Sequence, residues 1–364
     1  MTTADRHAWA EPGAEDLGGG VYRIPLPLPM NGLRAVNVYA LADDGGVDLI
    51  DGGIALVQAR EELAKQLRQI GYELGDIRNF FVTHIHVDHY TLAVELRRSL
   101  RAGLAGSSRR DALRSVVALG EGERANLLAI RDLISGSRDR FAADLRRLGA
   151  MELAAPLAAQ NAARGGPGPE PGIWADDPDR WLADGADLDL RSRTLHAVHT
   201  PGHTRGHLVF HDAAARILFA GDHVLPHITP SIGFEPAAGR RALHDYLGSL
   251  RRTLALPDAR LLPAHGPVGP STHARVAELI AHHDDRLEQT MLAVRAGNAT
   301  AYEAARAITW TRRHRAFGDL DLMSQFLAVN ETAAHLEVLT IRGRLTRETS
   351  ADGADRYQLP APAA

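Results

Sequence analysis

The chain has 364 residues, of which 45% are hydrophobic and 24% are charged, an ordinary composition for one large globular domain plus a smaller one. It has no cysteine, which excludes disulfides and thiolate metal sites, and its net charge of −4 gives no overall attraction to nucleic acid. Lys65 is the only lysine and follows Ala64 rather than glycine, and no Gly-x-Ser-x-Gly sequence occurs. A phosphate-binding loop and serine-hydrolase chemistry are therefore not supported.

The first residues, Met1 to Trp9, lack the apolar core of a signal peptide. No apolar stretch reaches the length of a transmembrane helix. These two observations predict a cytoplasmic protein with no membrane segment.

The N-terminal part alternates apolar and polar residues in short runs, which predicts strands at 21–24, 37–41, 47–50 and 79–82. The apolar spacing over 55–70, followed by Gly71, predicts a helix between the third and fourth of these strands.

The run Thr-His-Ile-His-Val-Asp-His comes directly after the last of these strands and contains His84, His86, Asp88 and His89. On an extended backbone His84 and His86 point the same way, while Asp88 and His89 lie on the turn beyond. Imidazole nitrogens and carboxylate oxygens are the usual ligands of catalytic zinc. The run therefore predicts one loop that can serve two adjacent metal ions.

A long segment separates this run from the next histidine motif. Residues 104–159 are rich in Ala, Leu and Arg and predict helices, and the Pro-Gly tract at 165–172 breaks the chain. We expect an insertion at about 104–172 to form a helical lid or one wall of a pocket. Its arginines, such as Arg109, Arg110 and Arg114, would favour an anionic substrate if they face inward, although solvated helix faces are the simpler interpretation.

Three later loops repeat one pattern, in which a histidine or aspartate lies beside a glycine after a short apolar run. They contain His199-Thr-Pro-Gly-His203, Gly221-Asp222-His223 and Ala264-His265-Gly266. The missing side chain of glycine leaves room for close backbone approach. The apolar runs predict strands at 195–198, 217–220 and 261–262, with a further strand near Leu208 and a helix over 239–254.

Four ligand-bearing loops in this order resemble the metallo-β-lactamase superfamily. The resemblance implies an α/β fold, the αββα sandwich, over 17–270. It also implies a site with two Zn²⁺ ions per chain, although iron or manganese could occupy the same ligands. One ion would be held by His84, His86 and His203, and the other by Asp88, His89 and His265. Asp222 would bridge the two ions, and Asp51 would support the site from behind the ligands.

The other histidines are interpreted separately. His199 and His207 have no ligand role in the family, which favours a structural role. His223 and His227 lie on the loop after Asp222, which borders the substrate in the family, so both are candidates for substrate contact. The simplest interpretation of the remaining ones is exposure to solvent: His211, His282, His283, His314 and His335.

The C-terminal part begins with a connecting segment at 271–297 that contains a predicted helix over 273–295. The segment 298–360 then predicts helices at 300–309, 319–327 and 330–341, followed by two short strands. This order resembles a winged-helix domain, as in the lactamase-β-like-2 clade of the superfamily.

The resemblance implies metal-dependent hydrolysis, in which Asp88 accepts a proton from the attacking water. An acyl hydrolase is favoured, with a coenzyme A or acyl-carrier thioester as the small-molecule substrate, and a homodimer is left open. A lactonase is less well supported, because no tyrosine follows Asp222 until Tyr246. Iron enzymes of the superfamily are also less well supported, since persulfide dioxygenases have cysteine near the position of His207 and flavin-linked di-iron proteins have glutamate at that of His86.

The alternative function is cleavage of single-stranded RNA. The last predicted helix carries Glu331 and Glu337, which would repel phosphates and argue against nucleic acid. The cluster Arg312, Arg313 and Arg315 could compensate in part.

Overall fold

The structure is a computed structural model that describes residues 5–29, 33–103, 115–135, 139–163, 171–233, 235, 237, 239–311 and 314–361. The described residues form two sheets packed face to face, helices on their outer faces, and a C-terminal helical region with a β-hairpin. This is the αββα sandwich that the sequence predicted.

The first sheet contains seven strands of the described chain, in the order β1 to β7. They are β1 (Glu15–Asp16), β2 (Val21–Pro27), β3 (Ala35–Asp43), β4 (Gly46–Ile50), β5 (Ile77–Val82), β6 (Val116–Gly120) and β7 (Arg180–Leu182). Strands β1 to β4 are antiparallel, whereas β4 to β7 run parallel. The ends of the parallel strands therefore meet along one edge of the sheet.

The second sheet contains five described strands in the order β12-β11-β10-β9-β8. They are β8 (Asp187–Asp189), β9 (Thr194–His199), β10 (Leu208–Asp212), β11 (Ile217–Gly221) and β12 (Arg260–Pro263). Side chains alternate between its faces: Leu208 and Phe210 pack between the sheets, while Val209 packs outward beneath a helix. Ring contacts join the sheets, with Tyr39 and Phe219 centroids 5.4 Å apart.

The described helices cover the outer faces and build the C-terminal region. They are α1 (Val57–Gln69), α2 (Val87–Gly103), α3 (Arg124–Ile134), α4 (Asp139–Arg147), α5 (Ala154–Ala163), α6 (Pro171–Trp174), α7 (Ala242–Ala255), α8 (Thr272–Arg295), α9 (Ala301–Ala307) and α10 (Leu322–Ile341). A hairpin of β13 (Thr346–Thr349) and β14 (Asp355–Gln358) follows. Within the described parts of the chain, no helix is long and apolar enough to span a membrane.

The predicted helical insertion needs correction. Helices α3, α4 and α5 lie within it, but so does β6, which pairs with β5 and β7 in the first sheet and buries Val117 and Leu119 in the core. A short apolar run does not by itself distinguish a buried strand from a helix segment. The segment is therefore partly core and not a separate lid, whereas residues of α3 and α4 line a cavity, in agreement with the expected wall of a pocket. Arg109, Arg110 and Arg114, and the Pro-Gly tract up to residue 170, lie outside the described residues.

Two further predictions are wrong. The helices predicted at 319–327 and 330–341 are one helix, α10, which is capped by Asp321 and meets no Gly or Pro before Gly343. Moreover, His211, His283 and His335 are buried rather than exposed. The imidazole Nδ1 of His283 on α8 lies 3.1 Å from Nε2 of His335 on α10, so these histidines join two helices.

Candidate metal centre

Three histidine nitrogens converge where the first sheet meets the loop after β9. His84 and His86 lie between β5 and α2, with His84 Nε2 3.0 Å from His86 Nδ1. His203 Nε2 lies 3.2 Å from His84 Nε2 and 3.0 Å from His86 Nδ1. Two nitrogens bound to one tetrahedral zinc at about 2.0–2.1 Å would lie about 3.3–3.4 Å apart. The three nitrogens are therefore spaced to hold one ion between them.

A second group lies beside the first and consists of Asp88, His89 and His265. His265 Nε2 is 3.5 Å from Asp88 Oδ2, and His89 Nε2 is 3.8 Å from the same oxygen. Both Nε2 atoms are buried and have no hydrogen-bond partner among the described residues. Buried polar atoms without a partner are costly. A cation at this point would satisfy both.

Asp222 lies between the two groups and offers one oxygen to each. Its Oδ2 is 3.4 Å from His203 Nε2 in the first group, and its Oδ1 is 3.4 Å from His265 Nε2 in the second. Oδ1 is also buried without a hydrogen-bond partner in the described structure. This arrangement fits a carboxylate that bridges two ions, so all seven sequence-predicted ligand residues meet in one paired site.

Hydrogen bonds behind the site determine which ring nitrogen of a ligand histidine faces the centre of the metal site. The Nδ1–H groups of His203 and His265 donate to the carbonyls of Ser231 and Ala35, each at 2.8 Å. A carbonyl only accepts, so Nε2 of both rings presents its lone pair to the centre. The Thr83 hydroxyl donates to the Asp51 carboxylate at 3.0 Å and therefore accepts from the Nδ1–H of His84, also at 3.0 Å, so Nε2 of His84 faces the centre as well.

Asp51 lies behind the second group in a conformation that non-glycine residues rarely adopt, with φ of 63°. Its Oδ2 is 2.9 Å from His89 Nδ1, and its Oδ1 accepts the Thr83 backbone N–H at 2.8 Å. One carboxylate therefore orients His89 directly and the start of the His84 loop through Thr83.

The protonation states of the ligand residues favour the binding of cations. Burial, together with neighbouring histidines, lowers the pKa of His86 to about 3 and that of His84 well below its usual range. Burial opposes ionisation of Asp222, but His265 and His89 outweigh it and lower the pKa of that carboxyl to about 2. Burial also opposes protonation of His89, but Asp51 and Asp88 outweigh it and raise the pKa of that ring to about 10. An ion bound by His89 must therefore displace a proton.

Comparison with known proteins agrees with this geometry. Residues 31–265 match the family model described as "Metallo-beta-lactamase superfamily". The chain belongs to the metallo-β-lactamase superfamily. Residues 287–360 match a second model, "Metallo-beta-lactamase-like, C-terminal domain". The family and the C-terminal lactamase-like domain expected from the sequence are thus confirmed, whereas neither match specifies a winged helix. The protein has the metallo-β-lactamase fold and paired His/Asp clusters that fit a dinuclear metal site.

Among curated relatives, the chain is 32% identical over 126 residues to an atrochrysone carboxyl ACP thioesterase from Paecilomyces divaricatus, covering 34% of this chain and 38% of the relative. It is 35% identical over 106 residues to a beta-lactamase-like protein 2 homolog from Caenorhabditis elegans, covering 29% and 33%. The matched segments span between a third and two fifths of these relatives' own length.

Solved structures match over nearly the whole chain. A metallo-beta-lactamase family protein from Thermus thermophilus is 27% identical, with a TM-score of 0.67, covering 95% of this chain and 100% of that one. A beta-lactamase domain protein from Burkholderia ambifaria is 24% identical, with a TM-score of 0.68, covering 96% and 97%. The second likeness concerns the fold alone.

Helix α7 contacts the two loops that carry His203 and Asp222. A Cβ at Gly202, beside His203, would lie 2.3 Å from Cβ of Tyr246, so only glycine fits this approach. The Tyr246 hydroxyl donates to the carbonyl of His223, next to Asp222, at 2.9 Å. Ser249 on the same helix donates to the carbonyl of Pro201 at 2.8 Å. Packing of α7 therefore sets the relative positions of His203 and Asp222.

Four other histidines, which lie near the ligands in sequence, have different environments in the structure. His207 is buried and its Nε2 accepts the backbone N–H of Asp222 at 3.1 Å, while His199 Nε2 lies 2.8 Å from the carbonyl of Arg205, so both have structural contacts. His223 is fully buried with its Nε2 2.9 Å from Thr253 Oγ1, which corrects its expected role in substrate contact. His227 lines two other cavities and does not line the cavity that reaches His86.

A buried acid cluster beside the first group was not anticipated from the sequence. Thr204, next to His203, bonds through its hydroxyl to Glu123. The Nδ2 of Asn126 donates to Glu123 Oε2 and to Glu235 Oε2, each at 2.6 Å. The cluster therefore joins the end of β6 to the His203 loop. The available signal was Gly120-Glu-Gly-Glu123 after an apolar run, which repeats the acid-beside-glycine pattern of the ligand loops.

We expect Glu123→Gln to flatten the pH dependence of stability. Burial raises the pKa of Glu123 to about 7 from its usual value of 4.5. Between these two values the folded state keeps a proton that the unfolded state has lost, so the free energy of unfolding falls as pH rises. The loss is on the order of 3 kcal/mol at most. Glutamine has no such proton, so urea unfolding of chelator-treated protein from pH 4.5 to 7 should show a smaller loss in the variant. Parallel profiles would contradict the expectation.

The site opens beside His86 into a cavity of about 450 Å³, within the usual range of small-molecule sites. Its lining is mainly apolar and includes Leu133, Phe141, Leu148, Trp174, Phe326, Ala333 and Ala334. Trp174 also donates its indole N–H to the carbonyl of Ile85 at 2.9 Å, so this wall contacts the His84–His86 loop directly. A substrate held at the metal groups would therefore meet apolar side chains.

Proposed function

We propose that this protein is a dinuclear metal-dependent hydrolase that cleaves the ester or thioester of an apolar acyl group, with an acyl-CoA or acyl-carrier thioester as substrate. The single observation that carries the proposal is the position of Asp222, whose two oxygens face different histidine groups beside an apolar cavity. The thioesterase among the relatives supports the acyl chemistry.

In this proposal His84, His86 and His203 hold one ion, Asp88, His89 and His265 hold the other, and Asp222 contacts both. Zinc is the first choice for this set of nitrogen and oxygen donors, and iron or manganese are the alternatives. When bound, two such ions supply Lewis acidity and lower the pKa of water to about 7. Asp88, a buried member of the second group, takes the proton released as water attacks the carbonyl carbon, and that proton passes to the leaving thiolate or alkoxide as the C–S or C–O bond breaks. The apolar wall holds the acyl group and excludes water from it.

Two alternatives are weaker for structural reasons. A lactonase-like role for a tyrosine is not available to Tyr246, which is fully buried and bonded to the His223 carbonyl. An RNA-cleaving enzyme would need a basic path to the metals, whereas the cavity at His86 is mainly apolar.

The charge argument against RNA that the sequence suggested needs correction. Glu331 is 3.5 Å from Arg286, and Glu337 is buried beside Arg240 and Arg347, so these acids do not form a free repulsive surface. Of the arginine cluster, Arg312 and Arg313 lie outside the described residues, and Arg315 is exposed. The preference for acyl substrates therefore rests on the cavity rather than on the charge of α10.

A substrate panel tests the proposal. Purified, metal-loaded protein is assayed with acyl-CoAs, lactones and single-stranded RNA, before and after chelation. We expect thioester hydrolysis that chelation abolishes and added zinc restores. Changing Arg312, Arg313 and Arg315 together to alanine should leave thioester turnover within a few-fold of wild type. Metal-dependent RNA cleavage that this triple change abolishes would instead favour the nuclease, because phosphate contacts through arginine dominate RNA affinity.

A further inference from the structure

The cavity beside His86 is a groove between two helices. Helix α10 contributes Phe326, Asn330, Ala333, Ala334 and Glu337, whose spacing places them along one face. The facing wall comes from α4 and the residue after it, with Phe141, Asp144, Arg147 and Leu148. The rings of Phe141 and Phe326 are 5.6 Å apart, so the two walls touch.

One part of the groove belongs to the metal centre and another to the C-terminal hairpin. His86 and Trp174 line the part at the metal loop. Arg240 and Glu337 also line the groove, and Arg240 pairs with Glu337 at 3.4 Å and with Asp355 of β14 at 3.0 Å. Arg147 likewise pairs with Asp144 at 3.7 Å and with Asp355 at 3.8 Å, and Glu235 accepts from Asn126. The charges that line the groove therefore have partners, and the rest of its lining is mainly apolar.

Helix α10 has two small side chains where it lines the groove. Ala333 and Ala334 are adjacent on α10, both are buried, and both line the groove. A larger side chain there would take up volume that a ligand could otherwise fill. The opposite face of the same helix, through Leu327 and Ala328, lines a different cavity of about 760 Å³ that does not include His86.

We infer that α10 is the specificity-determining wall of the substrate site, and that Ala333 and Ala334 set the size of the apolar acyl group that it accepts. The inference rests on the proposed acyl hydrolase function and names the part of the substrate that the C-terminal region recognises. The carbonyl carbon lies at the metal groups near His86, and the acyl group extends along α10 toward Phe326. The C-terminal domain is then part of the substrate site.

The test compares two matched substitutions on one helix. Ala334→Leu fills the groove, and Ala328→Leu adds the same side chain at a buried position that lines the other cavity. We expect Ala334→Leu to lower kcat/KM for decanoyl-CoA at least ten-fold and for acetyl-CoA less than three-fold, with unchanged metal content. Ala328→Leu should leave the ratio of the two substrates as in wild type. If Ala334→Leu does not fold, Ala334→Val replaces it, with a smaller shift expected in the same direction.

A binding measurement separates this inference from the reaction. Decanoate is titrated calorimetrically into metal-free protein, and Ala334→Leu should weaken its binding at least ten-fold while Ala328→Leu does not. Binding with this pattern, without hydrolysis of any ester or thioester, would reject the proposed reaction but keep the acyl site. The inference is overturned if wild type does not bind decanoate, or if both variants change substrate preference equally.

Discussion

Replacing Asp222 with alanine is expected to lower the metal content from two ions toward one and to reduce turnover by about a thousand-fold or more. Asp222 Oδ2 is 3.4 Å from His203 Nε2, and its Oδ1 is 3.4 Å from His265 Nε2, so its loss removes one oxygen from each group. Loss of an interaction worth about 4 kcal/mol in the transition state corresponds to roughly a thousand-fold in rate. Metal analysis by mass spectrometry and steady-state kinetics measure the two effects.

A matched control distinguishes this effect from general destabilisation. Asp212 is also a buried aspartate of the second sheet, but it pairs with Arg193 at 3.0 Å and is not part of either metal group. Asp212→Ala should lower thermal stability while leaving two ions per chain. Two tightly bound ions in Asp222→Ala would show that this carboxylate is not a bridge.

The convergence of the site residues could be predicted from sequence because each lies on a short loop directly after a strand or, for Asp88 and His89, in the first turn of the helix after that loop. The fold places the ends of β5, β9, β11 and β12 at neighbouring positions, so residue type and chain order indicated which loops converge, whereas the division of the ligands between two ions came from the family resemblance. Asp51 also comes directly after a strand, β4. The local pattern contains most of the information here, since few residues separate each ligand from its strand.

Features that depend on contacts between distant segments were not predictable in this way. The apolar run of β6 becomes a strand because β5 and β7 pair with it on both sides. His282 and His283 are adjacent and chemically identical, yet only His283 is buried, because its side of α8 faces Tyr246 and α10. Glu337 was interpreted as a surface acid, although Arg240, Arg347 and Tyr357 surround it in the folded chain.

Replacing Asp51 with asparagine is expected to weaken binding of the second ion ten- to a hundred-fold, the usual effect of losing a hydrogen-bond partner of a ligand. Asp51 accepts from both His89 Nδ1 and the Thr83 N–H, and an amide offers only one oxygen to these two donors. The NH₂ group then faces a donor, so either His89 or the His84 loop loses its orientation. Competition with a fluorescent chelator measures the affinity of each ion.

The same variant should change the number of protons released on metal binding. Asp51 is the largest contribution that raises the pKa of His89 to about 10, so wild type holds this proton at pH 8 until a metal displaces it. Without the carboxylate charge the pKa of His89 falls, and calorimetry in buffers of different ionisation enthalpy should show fewer protons released per ion. The affinity of wild type for the second ion should accordingly rise with pH more steeply than that of the variant.

Asp48→Asn is the control, because Asp48 is buried on β4 and pairs with Arg78 away from the site. Equal proton release in wild type and Asp51→Asn would mean that Asp51 does not set the protonation of His89.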